Sequence, residues 1–178
     1  MIPPDFVLTD GPRLLARTPA VLDAWLRDLP ATWLDADAGP QTWNPAVVVG
    51  HLIEGERHDW IPRVRHILEH GDRVPFAPFD RFAQLQSAPR PLGEDLDEFA
   101  ALRAQSLAEL RALGLTQADL ARPGLHPELG VVTLGQHLAT WIAHDLTHVQ
   151  QIARAMAFGL KEAVGPWRNY LRIVREGP

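Results

Sequence analysis

Apolar residues recur every three or four positions in four stretches of the chain, a spacing that places them on one face of an α-helix. The stretches cover residues 17–29, 44–71, 94–113 and 133–159. The alternation typical of a strand is absent except for a short piece near Val131. The pattern therefore predicts an all-α protein with four main helices packed as a bundle.

Three of these stretches open with helix-start signals. Thr18 and Asn44 are each followed by proline, so we expect each to cap a helix that begins at the proline. Thr133 and Gln136 have the spacing of a capping box. The starts of three helices are thus predicted from local sequence alone.

Other positions predict breaks and connections. Pro62 lies inside the second stretch and removes a backbone hydrogen bond, so we expect a kink there, and Gly71 should end that stretch. Residues 72–93 are rich in proline and should be ordered over the surface or over a site. An additional short C-terminal helix should begin at Pro166.

Length and composition favour one domain spanning residues 1–178, with 46% apolar and 22% charged residues. The net charge of -5 argues against a nucleic-acid partner. We expect a cytoplasmic protein without a membrane partner, because no apolar run approaches the roughly 20 residues of a membrane span and the first residues do not have the pattern of a secretory signal. The lack of cysteine excludes disulfides, thiolate ligands and a cysteine nucleophile.

Three histidines fall on the edges of apolar helix faces. His144 and His148 border the apolar face of the last long helix, and His51 borders that of the second. Rings four residues apart project from one face and can chelate one ion, although they can also be ordinary surface or hydrogen-bonded histidines. Three neutral imidazoles leave a position open for water or substrate, as in catalytic zinc sites, and nickel, iron, manganese or cobalt would also accept them.

Two carboxylates fall within the apolar faces, where each needs a hydrogen bond or a charged partner. Asp145 can support a ligand histidine or hydrogen-bond the start of a neighbouring helix. Glu56 can face a cavity or pair with Arg63. Either carboxylate is a candidate catalytic proton acceptor.

Two other histidines lie near the three. His58 is a possible extra ligand or a solvated side chain before the expected kink. His137 shares a helix face with His144 but stands about 10 Å along the axis, so we interpret it as pocket lining or surface.

The segments "GHLIEGE", "HDLTHVQQIAR" and "AVGPWRNYLRIV" resemble the DinB-like superfamily, which also includes bacillithiol transferases and, more distantly, mycothiol-dependent maleylpyruvate isomerase. The resemblance covers nearly the whole chain. It implies an up-down-down-up four-helix bundle, often a homodimer, with a divalent metal on His51, His144 and His148.

The resemblance also implies a metal-dependent enzyme that transfers a low-molecular-weight thiol to an electrophilic small molecule, with the thiol supplied by a cosubstrate. Two alternatives stay open. One is a hydrolase that uses metal-bound hydroxide, with Glu56 or Asp145 as the base. The other is a bundle that binds a metal or a small molecule without catalysis.

Overall fold

The computed structural model describes residues 5–86, 88 and 90–175. Its α-helices are α1 (Gly11–Leu15), α2 (Thr18–Leu26), α3 (Ala31–Leu34), α4 (Pro45–His58), α5 (Trp60–His70), α6 (Leu92–Ala112) and α7 (Leu134–Phe158). Two short strands, β1 (Pro123–His126) and β2 (Gly130–Thr133), form an antiparallel hairpin. The 3-10 helices span Ala83–Gln86, Gln117–Ala121, Gly165–Asn169 and Arg172–Val174.

Two of the three predicted helix starts are confirmed. The side chain of Asn44 accepts a hydrogen bond from the backbone of Val47 at the start of α4, and Thr133 and Gln136 form the capping box of α7. The prediction for Thr18 is wrong: it is the first residue of α2, and Arg17 precedes it without a side-chain cap. The Thr18 hydroxyl instead has a buried partner elsewhere in the fold, described below.

The kink expected at Pro62 is present as a break between α4 and α5, one turn before the proline. Pro62 has no N–H to donate to the carbonyl of His58, so the helical ladder is interrupted at Asp59. Gly71 ends α5 as predicted, with a φ of 61° that favours glycine.

The principal helices form a four-helix bundle, which confirms the predicted all-α class. Both α2 and α4 pack against α6 and α7, so α2 and α4 lie diagonally across the bundle rather than side by side. The segment between α2 and α4, which contains the short helix α3, is long enough to connect helices that are not neighbours. The expected C-terminal helix is present as two 3-10 helices, and the second packs on α7.

The connection between α5 and α6 is ordered against the bundle, apart from residues 87 and 89, which lie outside the described part. Phe76 is buried in the core formed by α5 and α7, and its N–H donates to the carbonyl of Leu125 in β1 at 2.9 Å. The connection then continues into the 3-10 helix Ala83–Gln86 against α4. Among the described helices, none has the length and hydropathy needed to cross a bilayer.

Candidate metal centre

Three histidine side chains from two helices meet at one point. His51 projects from α4, and His144 and His148 project from α7 one turn apart. The Nε2 atom of His144 lies 3.1 Å from Nε2 of His51 and 3.1 Å from Nε2 of His148. In residues 5–86, 88 and 90–175, these three form a metal-ligand cluster that no aspartate, glutamate or further histidine joins.

This spacing fits a divalent cation. Two nitrogens that each bond a tetrahedral zinc ion at about 2.05 Å are about 3.3 Å apart. Lone pairs of two neutral imidazoles would repel each other at the observed 3.1 Å unless one nitrogen carried a proton or a cation lay between them. The donor set therefore suits a first-row divalent ion, and three ligands leave coordination positions for a small molecule.

The orientation of His148 is fixed by a neighbouring amide. Its Nδ1 lies 2.8 Å from Oε1 of Gln151, one turn further along α7. Because an amide oxygen only accepts hydrogen bonds, Nδ1 carries the proton and Nε2 keeps its lone pair for a cation. This is the arrangement in which a hydrogen bond to one ring nitrogen prepares the other as a ligand.

Burial keeps the three imidazoles neutral at physiological pH. It lowers the pKa of His51 to about 4 and that of His144 to about 2, with a further lowering from the neighbouring His148. Burial also lowers the pKa of His148. A metal ligand must be an unprotonated imidazole, so these environments prepare the rings for binding. His144 is half-buried and forms the more open side of the cluster.

Aromatic side chains flank the cluster on the side of the α5–α6 connection. The ring of Trp43 lies 4.9 Å from that of His51, and it is nearly parallel to that of His148 at 6.3 Å. Phe79 lies 5.8 Å from His51, and Phe82 meets Trp43 edge-on at 6.1 Å while remaining 52% exposed. The connection expected to cover a site thus contributes two aromatic rings beside the histidines.

The two candidate catalytic carboxylates are both bound to one buried arginine. Arg103 donates to Oε1 of Glu56 at 2.8 and 3.0 Å and to both oxygens of Asp145 at 2.6 and 2.9 Å. Burial raises the pKa of Glu56, and Arg103 opposes this rise. The alternative in which Glu56 pairs with Arg63 is wrong, because Arg63 forms an ion pair with Asp59 at the helix break instead. The catalytic roles of Glu56 and Asp145 stay predictions.

The two additional histidines lie outside the cluster. The His58 side chain is 64% exposed and lies 3.5 Å from Glu54, as expected of a solvated histidine. His137 is buried rather than at the surface, and its Nε2–H donates to the backbone carbonyl of Trp60 at 3.0 Å. The Trp60 ring lies 4.9 Å from that of His144, so His137 supports a residue that packs on the cluster.

Arg103 was not predicted from the sequence, although a signal for it exists. The buried face of α6 follows Leu96, Phe99, Arg103, Ser106 and Leu110 at helical spacing, so a charged residue stands in an apolar row. A buried charge in that position needs a partner of opposite charge, and the carboxylates of Glu56 and Asp145, which lie in the apolar faces of α4 and α7, can supply it.

The sequence profile of the DinB superfamily matches residues 14–152, which is more than half of the chain. The protein therefore belongs to the DinB superfamily. Among curated proteins, none matches the chain significantly.

The fold is also similar to a solved structure, YfiT from Bacillus subtilis, described as "a probable metal-dependent hydrolase with an unusual four-helix bundle topology". The two structures superpose with a TM-score of 0.67 at 22% sequence identity. The match covers 83% of this chain and 86% of YfiT. At this identity the similarity shows a shared fold.

Proposed function

We propose that the protein is a divalent-metal-dependent enzyme that transfers a low-molecular-weight thiol to an electrophilic small molecule. The observation that carries the proposal is the meeting of three Nε2 atoms from α4 and α7. His51, His144 and His148 would hold the cation, which supplies Lewis-acid activation and lowers the pKa of a thiol at the site.

The surrounding residues favour a thiol as the nucleophile. Glu56 and Asp145 are both engaged by Arg103, so neither is a free base beside the cluster. A thiol, with an ordinary pKa near 8.5, needs less help from a base than water does. Since the chain contains no cysteine, the thiol must come from a cosubstrate.

The aromatic side chains suit the second substrate. Trp43 and Phe79 flank His51, and the half-exposed Phe82 extends the apolar surface outward from Trp43. They would bind an apolar part of the electrophile and exclude water from the cluster. Three protein ligands without a fourth among the described residues would leave room for this small molecule, which favours catalysis over simple metal storage.

Metal-dependent hydrolysis is the second candidate, and the similarity to YfiT favours it. The same cation would then activate water. Glu56 and Asp145 are both paired with Arg103, which stabilises their ionised forms and weakens them as proton acceptors, so hydrolysis here would rely on another base.

A paired assay separates the candidates. Zinc-loaded protein would be tested for conjugation of monochlorobimane with bacillithiol, mycothiol and glutathione, and for hydrolysis of p-nitrophenyl acetate without thiol. The matched variants are His148→Ala and His58→Ala, the latter removing an exposed histidine outside the cluster. If His148→Ala loses conjugation and His58→Ala keeps it, the result supports thiol transfer. If the wild type cleaves the ester without thiol and only His148→Ala loses this activity, the result assigns hydrolysis. Conjugation that is unaffected by His148→Ala would contradict the proposed mechanism.

A further inference from the structure

A single buried arginine, Arg103 of α6, connects four elements of the bundle. Its side chain is 1% exposed, and each of its five N–H groups has an acceptor. Four go to Glu56 and Asp145, and the fifth goes to the backbone carbonyl of Leu15 at the end of α1. A guanidinium whose donors are all used in fixed directions cannot move without breaking several bonds.

The two carboxylates belong to the helices that carry the histidine cluster. Glu56 follows His51 by five residues on α4, and Asp145 lies between His144 and His148 on α7. By binding both carboxylates, Arg103 ties α4 to α7 beside His144 on α7 and between one and two turns beyond His51 on α4. The separation of these two helices determines how far the His51 ring stands from the other two.

Further donors hold the carboxylates in place. The hydroxyl of Thr18 donates to Oδ2 of Asp145 at 2.5 Å, and Nε1 of Trp141 is 3.2 Å from Oε1 of Glu56. The Trp141 ring also lies under the guanidinium of Arg103, 5.3 Å from its centroid. The network is therefore constrained from several directions and is suited to keeping α4 and α7 at a fixed separation.

We propose that Arg103 is a positioning residue of the metal centre, which holds α4 and α7 at the separation that lets His51, His144 and His148 bind one ion. This inference rests on the metal site of the proposed function and is independent of the reaction performed there. Lysine at this position would keep the charge but would lack the planar fork that serves two carboxylates at once.

The test compares Arg103→Lys with Arg57→Lys. Arg57 also connects α4 to α6, through Glu98, but its side chain is 39% exposed at the surface. For each protein, competition with a chromogenic chelator would give the Zn²⁺ affinity, the visible spectrum of the Co²⁺-loaded protein would report coordination geometry, and thermal melting would report folding.

We expect Arg103→Lys to weaken Zn²⁺ binding by about 10–100-fold and to alter the Co²⁺ bands, as for other residues that orient metal ligands. Arg57→Lys should match the wild type.

Wild-type Zn²⁺ affinity and Co²⁺ bands in a folded Arg103→Lys protein would overturn the proposal, even if that protein melted at a lower temperature. Should Arg103→Lys fail to fold, Thr18→Val takes its place, because it removes a single donor to Asp145 and leaves the arginine intact. Weaker Zn²⁺ binding with shifted Co²⁺ bands in Thr18→Val would support the proposal, and unchanged values would reduce the network to a folding role. A wild-type protein that bound neither ion would instead refute the proposed function itself.

Discussion

The Nε2 atom of His51 lies 3.1 Å from that of His144, although the two residues are 93 positions apart in the sequence. The contact joins α4 to α7 across the interior of the bundle, where burial disfavours the protonated form of either ring. Two nitrogen lone pairs would repel each other at this distance, so either one ring donates a proton to the other or both bind one cation. A shared cation gives this contact a physical reason, and the first two predictions concern that cation.

Replacing His51 by alanine should abolish tight metal binding, because only the two histidines of α7 would remain as ligands. The Zn²⁺ affinity should fall by more than the ~10–100-fold typical of residues that merely orient a ligand. Elemental analysis of gently purified protein, together with chelator competition, measures the effect. His58→Ala is the control on the same helix, and equal metal content in the two variants would contradict a role for His51 as ligand.

Replacing Gln151 by leucine should weaken metal binding without removing a ligand. The amide oxygen holds the proton of His148 on Nδ1, and its loss would let the ring rotate or adopt the other tautomer. We expect Zn²⁺ affinity to fall by about tenfold. Gln150→Leu, at the exposed neighbouring position, should leave the affinity unchanged. Identical affinities for both variants would show that the His148–Gln151 contact has no influence on the ion.

The features that could be predicted from sequence are those that one helix determines by itself. The capping box at Thr133 and the break caused by Pro62 depend on residues within one turn, and both are present. The positions of His51 and His144 on the shoulders of their helices follow from helical periodicity, and the bundle brings those shoulders together. Local geometry was sufficient because the two helices face each other along these edges.

The wrong predictions concern side chains that have a choice of partner. Thr18 stands where a capping residue is expected, yet its hydroxyl donates to Asp145, a residue 127 positions away. Glu56 had Arg63 within two turns, but the break at Asp59 gives Arg63 a closer acceptor. Such choices depend on which donor the tertiary fold delivers, and Arg103 comes from a third helix.

The metal-free protein should lose stability as the pH falls from about 6.5 towards 4, in part because of His137. Burial lowers the pKa of His137 to about 4 in the folded state, against an ordinary value of 6.5. Between these values the unfolded chain binds a proton that the folded protein does not, so the free energy of unfolding decreases as the pH decreases. The contribution is fully present above pH 6.5 and amounts to about 3 kcal/mol for this residue.

His137→Gln isolates that contribution, because a glutamine amide can donate to the carbonyl of Trp60 without titrating. Urea unfolding at pH 7.5 and 4.5 with a chelator present should show a smaller loss of stability in His137→Gln than in the wild type. The pKa values of His51 and His144 are also lowered in the folded protein, so part of the pH dependence should remain. Equal losses in the two proteins would mean that His137 is not held neutral by the fold.

The aromatic side chains beside the cluster predict a preference for metal-binding ligands that carry a flat apolar group. Benzohydroxamate and acetohydroxamate chelate a metal through the same two oxygens, so the difference between their affinities reports the contact with the phenyl ring. Trp43 and Phe82 are oriented edge to face and can bind such a ring, a contact worth about two- to tenfold in affinity. Calorimetric titration of the zinc-loaded protein with each compound measures the ratio of the two affinities.

The wild type should bind benzohydroxamate more tightly than acetohydroxamate. Trp43→Ala and Phe82→Ala should each reduce this affinity ratio, because either change removes one of the two rings that contact the phenyl group. Trp167→Ala is the control, since that ring is 70% exposed and pairs with Tyr170. A ratio that stayed unchanged in Trp43→Ala and Phe82→Ala, or that fell equally in Trp167→Ala, would mean that neither Trp43 nor Phe82 contacts the bound phenyl group.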